Sequence, residues 1–267
     1  LFAACDLDTL PRMEHDPLQK HYEQAYGRHA DAARVAVALR LLKKSARFAP
    51  GQRLRILDIG GGDMQLGRLF AARLEAQFGV QADLEGWELS ETAVAQAAAA
   101  GEHARVQSIC EPPPPEAVGR YDLVLFFEVL EHLVYTDEAV KNIRNVLRPD
   151  GWLLLSTPNM ASWLNRILLL FGMQPHATEV SFLPIRFGDP IGHRLLPQDP
   201  NSVAAGHLRV FTLRALKQFL RWHGFRPVRV GGCVNVAFDF VSPLFARWWP
   251  GLVGDIVLLG QPGPGVR

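Results

Sequence analysis

The sequence predicts an α/β fold built on a doubly wound, mostly parallel seven-stranded sheet, with a long insertion after the fifth strand. Two observations lead to this prediction. Short apolar runs alternate with helical patterns along most of the chain, and the first apolar run leads into a glycine turn and then a helix. Parallel strands need long crossover connections, usually helices, and these crossovers are right-handed. We therefore expect a sheet with helices on both faces.

The elements before residue 112 follow this alternation. A helical pattern over 29–50 precedes the first strand at 55–59, which runs into Gly60, Gly61 and Gly62. The prolines at 112–115 require an extended loop, because successive prolines lack the N–H groups that helices and interior strands use. The other predicted elements of this half are helices at 66–78 and 91–100 and strands at 82–87 and 104–109.

The elements after residue 120 complete the predicted sheet. The run 121–127 is nearly all apolar, which is typical of a parallel strand buried on both faces. The helix predicted over 137–147 has acids in its first turn and is stopped by Pro149. The remaining predicted elements are strands at 152–156, 225–230 and 255–259 and helices at 161–171 and 212–222.

Length and charge predict one large domain and make nucleic acid a runner-up rather than the expected partner. The 267 residues contain 28 Lys and Arg against 27 Asp and Glu, far from the basic excess of a phosphate-binding domain. Residues 1–50 are predicted to form a helical segment that serves as a lid over cofactor or substrate. Residues 51–267 are predicted to be the domain proper, with a substrate-side insertion at about 160–206.

Three further expectations follow from the cysteines, the apolar runs and the charge of the first helix. Three scattered cysteines are too few for a disulfide framework and favour a reducing cytoplasm, and no apolar stretch reaches the ~20 residues that span a bilayer. We interpret the basic residues of the first helix as a solvated face rather than a phosphate grip. These are Arg34, Arg40, Lys43, Lys44 and Arg47.

A cofactor site is predicted where the first two strands end, because ligands bind at the carboxyl ends of the strands in such sheets. The glycine turn at 60–62 lets a ligand approach the main chain, although a purely structural turn also explains it. Glu88 ends the second strand, where its carboxylate can accept hydrogen bonds from both hydroxyls of a ribose. Together they indicate an adenosine-containing ligand, but the Gly-x-Gly-x-x-Gly spacing of a dinucleotide fold is absent.

Several ordered motifs resemble those of class I S-adenosylmethionine-dependent methyltransferases, whose fold is Rossmann-like. They are ILDIGGG at 56–62, WELS at 87–90, YDLVLFFEVLEHL at 121–133, LRPDGW at 147–152 and STPN at 156–159. Within that superfamily, the block EVLEH at 128–132 is similar to the ubiquinone-biosynthesis O-methyltransferases. The resemblance covers roughly residues 52–160.

The resemblance implies that S-adenosylmethionine is the cofactor and gives the matched residues their roles. Gly60 and Gly62 would meet its methionine part, Asp58 would organise the loop, and Glu88 would hold the ribose. Met64 replaces a glycine common in the motif, which changes the shape of the loop. The implied cofactor-binding residues are Asp58, Gly60, Gly61, Gly62, Glu88, Leu89, Ile109, Cys110, Phe127 and Glu128.

The reacting groups are predicted just after the fourth strand. Glu128, Glu131 and His132 lie at i, i+3 and i+4, so they would share one face toward the substrate cleft if the chain turns helical there. Three interpretations stay open. With His207 they would hold Mg²⁺ or Mn²⁺, as in the small-RNA terminal 2′-O-methyltransferases that this set resembles. Without metal, His132 would serve as general base or orient the substrate, or Glu131 and His132 would only shape the turn.

The predicted function is O-methylation of a small molecule, a glycan or a lipid-linked intermediate. The alternatives are N- or C-methylation, RNA 2′-O-methylation, and cofactor binding without turnover. Two apolar clusters are interpreted as core or dimer contacts or, if exposed, as a site for an apolar acceptor or a membrane surface. The clusters are Trp163, Leu164, Ile167, Leu168, Phe171 and Met173, and Phe238, Phe240, Leu244, Phe245, Trp248 and Trp249.

Overall fold

A computed structural model describes residues 28–181, 187–188, 206–233 and 248–264, with side chains described from residue 32 onward. The helices are α1 (Arg28–Lys43), α2 (Gln65–Phe78), α3 (Glu91–Ala99), α4 (Thr136–Val146), α5 (Trp163–Leu170) and α6 (Leu213–Trp222). The strands are β1 (Arg53–Ile59), β2 (Gln81–Glu88), β3 (His103–Val106), β4 (Tyr121–Phe127), β5 (Leu147–Pro158), β6 (Phe225–Cys233) and β7 (Asp255–Pro262).

The strands form one seven-stranded sheet in the order β3-β2-β1-β4-β5-β7-β6. The first five strands are parallel to their neighbours, whereas β7 runs antiparallel to both β5 and β6. This confirms the predicted doubly wound, mostly parallel sheet. Because β7 is antiparallel, its first residue, Asp255, pairs with Pro158 at the edge where the parallel strands end.

Helices cover both faces of the sheet, so the core has two layers. One layer packs residues of α4 and α6 against the sheet, and the other packs α1 and α2 against its opposite face. Strand β4 contributes to both layers, and Leu123, Val124 and Phe126 are fully buried, as the apolar run predicted. Helix α1 places Val35, Ala38 and Leu42 in the second layer, so it is part of the core.

Several element boundaries differ from those predicted. Helix α1 ends at Lys43 rather than near residue 50. The third strand ends at Val106, because the chain then turns and the Ser108 hydroxyl accepts a hydrogen bond from the Cys110 N–H at 3.2 Å. Strand β5 already begins at Leu147, which pairs with Tyr121 across an irregularity in the ladder.

The basic residues of the first helix divide into two groups. Arg40, Lys43, Lys44 and Arg47 are exposed, in agreement with a solvated face. The interpretation was wrong for Arg34, which is only 4% exposed. Its guanidinium lies next to two carboxylates at the carboxyl edge of the sheet, which stabilise its charge away from water. Among the described residues, no helix combines the length and apolar character that crossing a membrane requires.

Candidate functional site

The glycine turn after β1 has a backbone that favours glycine at two positions. Gly60 and Gly62 adopt φ values of 68° and 58°, in the left-handed region. A Cβ on Gly60 would lie 2.6 Å from Cγ2 of Val129, the second residue after β4. The turn therefore packs directly against the segment that follows β4, and both predicted parts of the site meet there.

Met64 replaces the motif glycine without changing the backbone conformation that a glycine would favour. Its φ of 65° is left-handed, and it stands as the residue before α2. Its side chain is buried, with the sulfur against Gly86, where a Cβ would lie only 2.6 Å away. The absence of a side chain at Gly86 therefore makes room for Met64. The Met64 side chain fills space beneath the loop and leaves the backbone conformation of the turn unchanged.

Glu88 lies where the prediction placed it, at the end of β2 and beside the glycine turn. Its side chain is buried, and one carboxylate oxygen accepts the N–H groups of Leu89 and Ser90 at 2.6 and 3.0 Å. The other oxygen accepts the Gly62 N–H at 2.9 Å. The carboxylate therefore joins β2 to the turn through three amides. The neighbouring Leu89 side chain is 59% exposed.

Asp58 is buried beneath the same turn. A Cβ on Gly61 or on Gly67 would collide with its carboxylate, so both glycines are needed for this close approach. Its Oδ2 has no hydrogen-bond partner in the part of the chain that the structure describes. Burial, with the nearby charge of Glu88 as a second cause, raises the pKa of Asp58 to about 7.

The loop after β3 is held by a residue that the sequence analysis missed. Asn142, on α4, donates its amide hydrogens to the carbonyls of Ile109 and Glu111 at 2.8 and 2.7 Å. Ile109 is buried and Cys110 is half-buried, and burial raises the pKa of the Cys110 thiol. Asn142 gave a weak signal, as a polar residue on the predicted inner face of an amphipathic helix.

Glu128 follows β4 with a left-handed φ of 55°, which is rare for a side chain of its size. Its Oε1 accepts a hydrogen bond from the Ser156 hydroxyl at 2.6 Å. Arg34 Nη2 lies 3.4 Å from this same oxygen and 3.4 Å from Oδ2 of Asp255. Phe127, the last residue of β4, is buried beside them. Neither Arg34 nor Asp255 was predicted at this site, because their proximity depends on the antiparallel direction of β7.

Glu131, His132 and His207 form a second group. The chain between Leu130 and His132 is a single 3₁₀ turn, within which Glu131 is fully buried. Its Oε2 accepts the Thr157 hydroxyl at 3.0 Å, and its Oε1 lies 3.9 Å from His132 Nε2. One ligand atom from each of the three residues lies within 4.8 Å of the others. Burial, then the charge of Glu128, raises the pKa of Glu131 well above its ordinary value.

The two histidine rings are held in one tautomer by the backbone. His132 Nδ1 lies 3.3 Å from the Gly206 carbonyl oxygen, and His207 Nδ1 lies 3.0 Å from that of Ala177. A carbonyl can only accept, so each Nδ1 carries the hydrogen and each neutral ring has its lone pair on Nε2. Such a lone pair can take a proton or bind a metal ion.

The structure thus brings together three of the four predicted metal ligands. His207 reaches the group because the N–H groups of Leu208 and Arg209 donate to the Glu131 carbonyl at 2.7 and 2.9 Å. Glu128 lies with Arg34 and Ser156 instead and is not part of the group. The predicted helical face shared by residues 128, 131 and 132 does not form, because the 3₁₀ turn begins only at Leu130 and Glu128 precedes it.

The first predicted apolar cluster lies wholly within the described residues, and the second lies there only in part. In the first, Leu168 is buried, whereas Ile167 and Phe171 are 44% and 68% exposed. In the second, Trp248 and Trp249 are 70% and 59% exposed. Its other members, Phe238, Phe240, Leu244 and Phe245, lie outside the described residues.

Comparison with known proteins shows which family this chain belongs to. The model of the methyltransferase domain family matches residues 26–230, which is more than half of the chain. None of the curated proteins matches the sequence. The matched range contains the glycine turn, Glu88, Glu128 and the group of Glu131, His132 and His207, whereas Asp255 lies beyond it.

Solved structures share this fold. The CurJ carbon methyltransferase is 18% identical with a TM-score of 0.59, over 94% of this chain and 62% of that chain. A 1,6-didemethyltoxoflavin-N1-methyltransferase from Burkholderia thailandensis, solved with S-adenosylhomocysteine, is 17% identical with a TM-score of 0.51, over 88% and 79%. An S-adenosylmethionine-dependent methyltransferase from Mesorhizobium loti is 17% identical with a TM-score of 0.53, over 87% and 99%.

Proposed function

Since the chain belongs to the methyltransferase domain family and is an S-adenosylmethionine-dependent methyltransferase, we propose that it methylates a hydroxyl oxygen. The observation that carries this proposal is the fixed Nε2 lone pair of His132, which lies 3.9 Å from Glu131 Oε1 with His207 grouped beside both residues. An alcohol must lose its proton as it attacks, and such a group can help it do so. The acceptor we propose is a small molecule, a glycan or a lipid-linked intermediate.

The cofactor binds, in this proposal, across the ends of β1, β2 and β4. Glu88 faces the ribose, the glycine turn faces the methionine part, and Asp58 shapes that turn from beneath. The loop at Ile109 and Cys110 borders the adenine. Leu89, Phe127 and Glu128 complete the binding surface. The predicted lid role of the segment 1–50 does not extend to α1, because this helix packs in the core. Support comes from the contacts of Glu88 and Val129 with the glycine turn.

The reaction needs positioning and one proton acceptor. The acceptor oxygen attacks the methyl carbon, the sulfur–carbon bond breaks, and its electron pair returns to sulfur, giving S-adenosylhomocysteine. His132 Nε2 takes the hydroxyl proton. Glu131 orients the histidine pair from its buried position, and its high pKa lets it remain uncharged there. Because the sulfonium is already activated, alignment of the oxygen with this bond is the main contribution of the protein.

The same residues also fit a divalent metal ion. Two imidazole nitrogens and one carboxylate oxygen converge, and Glu131 Oε1 is buried without a hydrogen-bond partner in the described part of the chain. Nitrogen ligands of this kind suit Mn²⁺ better than Mg²⁺. Glu131, His132 and His207 would hold the ion, which when bound would lower the pKa of the acceptor hydroxyl. Metal removal distinguishes this form of the proposal from the metal-free form, in which His132 is the base.

The exposed side chains of α5 support an apolar or lipid-linked acceptor. Ile167, Leu169, Leu170 and Phe171 present apolar surface on and after this helix. Such surface is costly to leave in water and suits an apolar ligand, a second copy of the chain or a membrane surface. We place the reaction in the cytoplasm, in keeping with the three scattered cysteines.

An acceptor screen with methyl-labelled S-adenosylmethionine tests the proposal. Candidate phenols, glycans and lipid-linked alcohols are offered to the protein with Mn²⁺ and with a chelator, and the product is analysed for the methylated atom. We expect an O-methyl product whose formation is lost in His132→Ala and kept in His103→Ala, whose exposed histidine lies on β3. A methylated nitrogen or carbon would overturn the assignment of the acceptor atom.

A further inference from the structure

Arg34 connects the first helix to the acidic edge of the sheet. Its side chain is 5% exposed, and its Nη2 lies between a carboxylate that follows β4 and one that begins β7, at 3.4 Å from each. The partners are Glu128 and Asp255, whose side chains are 22% and 3% exposed. A buried guanidinium is tolerated only where carboxylates compensate its charge. Asp255, the more buried partner, is therefore suited to anchoring Arg34.

Glu128 has one fixed oxygen and one available oxygen. Its Oε1 accepts the Ser156 hydroxyl at 2.6 Å and faces Arg34. In the described part of the chain nothing donates a hydrogen bond to Oε2, and the Glu128 side chain is 22% exposed. Glu131 is fully buried by contrast. Of the two acids after β4, Glu128 is thus the one that a bound molecule can reach.

The place of Glu128 brings this oxygen close to the cofactor surface. The next residue, Val129, packs against Gly60 of the glycine turn. S-adenosylmethionine carries two cationic groups, an ammonium and a sulfonium, and a carboxylate with a free oxygen complements either. A strained residue such as Glu128, with φ of 55°, stays in place only if its surroundings hold it. Arg34 and Ser156 supply that constraint.

We propose that Arg34 is a positioning residue for cofactor binding, which together with Ser156 fixes one oxygen of Glu128 so that the other receives a cationic group of S-adenosylmethionine. This inference rests on the proposed placement of the cofactor along the ends of β1, β2 and β4. It assigns a role to a residue of the helix that precedes the sheet. If Arg34 only anchored α1 to the sheet, its contact with Asp255 would be sufficient. A positioning role in cofactor binding also requires its contact with Glu128.

Calorimetric titration with S-adenosylmethionine tests the inference without any acceptor. We expect Arg34→Gln to bind at least about 10-fold more weakly, because Glu128 loses the charged partner that orients it. Arg34→Lys keeps the charge but lacks the planar guanidinium, so it should bind more weakly than the unchanged protein and more tightly than Arg34→Gln. Ser156→Ala removes the second contact to Oε1 and should weaken binding by about 3- to 10-fold. Arg40→Gln, an exposed arginine on the same helix, is the matched control and should bind normally.

Thermal unfolding of each variant without cofactor separates positioning from folding. If Arg34→Gln does not fold, Ser156→Ala decides, since that change leaves the charges of the cluster in place. The inference is overturned if Arg34→Gln and Ser156→Ala bind as tightly as Arg40→Gln, or if Arg34→Lys is as weak as Arg34→Gln. Failure of the unchanged protein to bind S-adenosylmethionine would instead overturn the cofactor placement on which the inference rests.

Discussion

The rings of His132 and His207 lie with their centroids 4.8 Å apart, and the Nδ1 of each faces a backbone carbonyl oxygen. Neither ring can therefore offer Nδ1 as an acceptor while it is neutral. His132 Nε2 lies 3.9 Å from Glu131 Oε1, and one ligand atom of His207 lies within 4.8 Å of both residues. This arrangement makes the pair the centre of the proposed chemistry.

The first prediction concerns His132 as the group that receives the acceptor proton. His132→Ala should lower the rate of methyl transfer by roughly 10²- to 10⁴-fold, because general-base catalysis contributes about that much. Its affinity for S-adenosylmethionine should not change, because His132 lies on the acceptor side. Rate measurements with the acceptor from the screen and calorimetry check both statements. A normal transfer rate would assign His132 a structural role only.

The second prediction concerns metal binding by Glu131, His132 and His207. In the metal-bound form of the proposal, Mn²⁺ raises the melting temperature of the protein and Mg²⁺ raises it less, because two of the three ligands are nitrogen. His207→Ala should abolish the Mn²⁺ effect, while His103→Ala should keep it. Melting curves with chelator as the reference measure this. If neither ion shifts the melting temperature, the metal-bound form of the proposal is wrong and His132 acts as the base without a metal.

The third prediction concerns Glu88 as the acceptor for ribose. Glu88→Ala should weaken S-adenosylmethionine binding by about 1.5–3 kcal/mol, because the ribose loses a charged acceptor. It should also lower the free energy of unfolding, because the amides of Gly62, Leu89 and Ser90 lose their partner. Glu91→Ala, at an exposed position in the first turn of α3, is the control. Calorimetry that finds equal affinities would remove the ribose assignment.

The fourth prediction is a pH dependence of stability from Asp58. Its pKa is about 7 in the folded protein against 3.8 for the free group, so the folded state holds the proton more tightly. Stability should therefore fall as pH rises between about 4 and 7, by at most about 4 kcal/mol at 1.4 kcal/mol for each pKa unit. Asp58→Asn should lose this part of the dependence.

Chemical unfolding at several pH values measures the effect. Asp150→Asn serves as the control, because the side chain of Asp150 is 80% exposed. If the stability curves of Asp58→Asn and of the control have the same slope between pH 4 and 7, the pKa of Asp58 is not raised by its burial.

Local patterns were enough to predict the parallel part of the sheet. The run 121–127 was predicted as β4 with its observed bounds, because a strand buried on both faces is apolar at nearly every position. Glu88 was placed at the end of the second predicted strand, and the structure has it there. Periodicity is less informative where a strand is short and half-exposed, so the end of β3 was set too late.

The contacts of the site could not be predicted from local patterns. Arg34 looks like any other arginine on a basic helix, and only the packing of α1 on the sheet brings it to Glu128. Asp255 reaches the same edge because β7 is antiparallel, and no residue near it signals that direction. His207 was included through resemblance alone, and the structure brings it to Glu131 and His132.

Calorimetric titration of the protein with S-adenosylmethionine, with and without Mn²⁺ and with NAD as the comparison ligand, tests the central claim most directly. We predict saturable binding of S-adenosylmethionine at one site in each chain and no binding of NAD. Absence of S-adenosylmethionine binding, or a preference for NAD, would contradict the assignment of the glycine turn and Glu88 to an S-adenosylmethionine site.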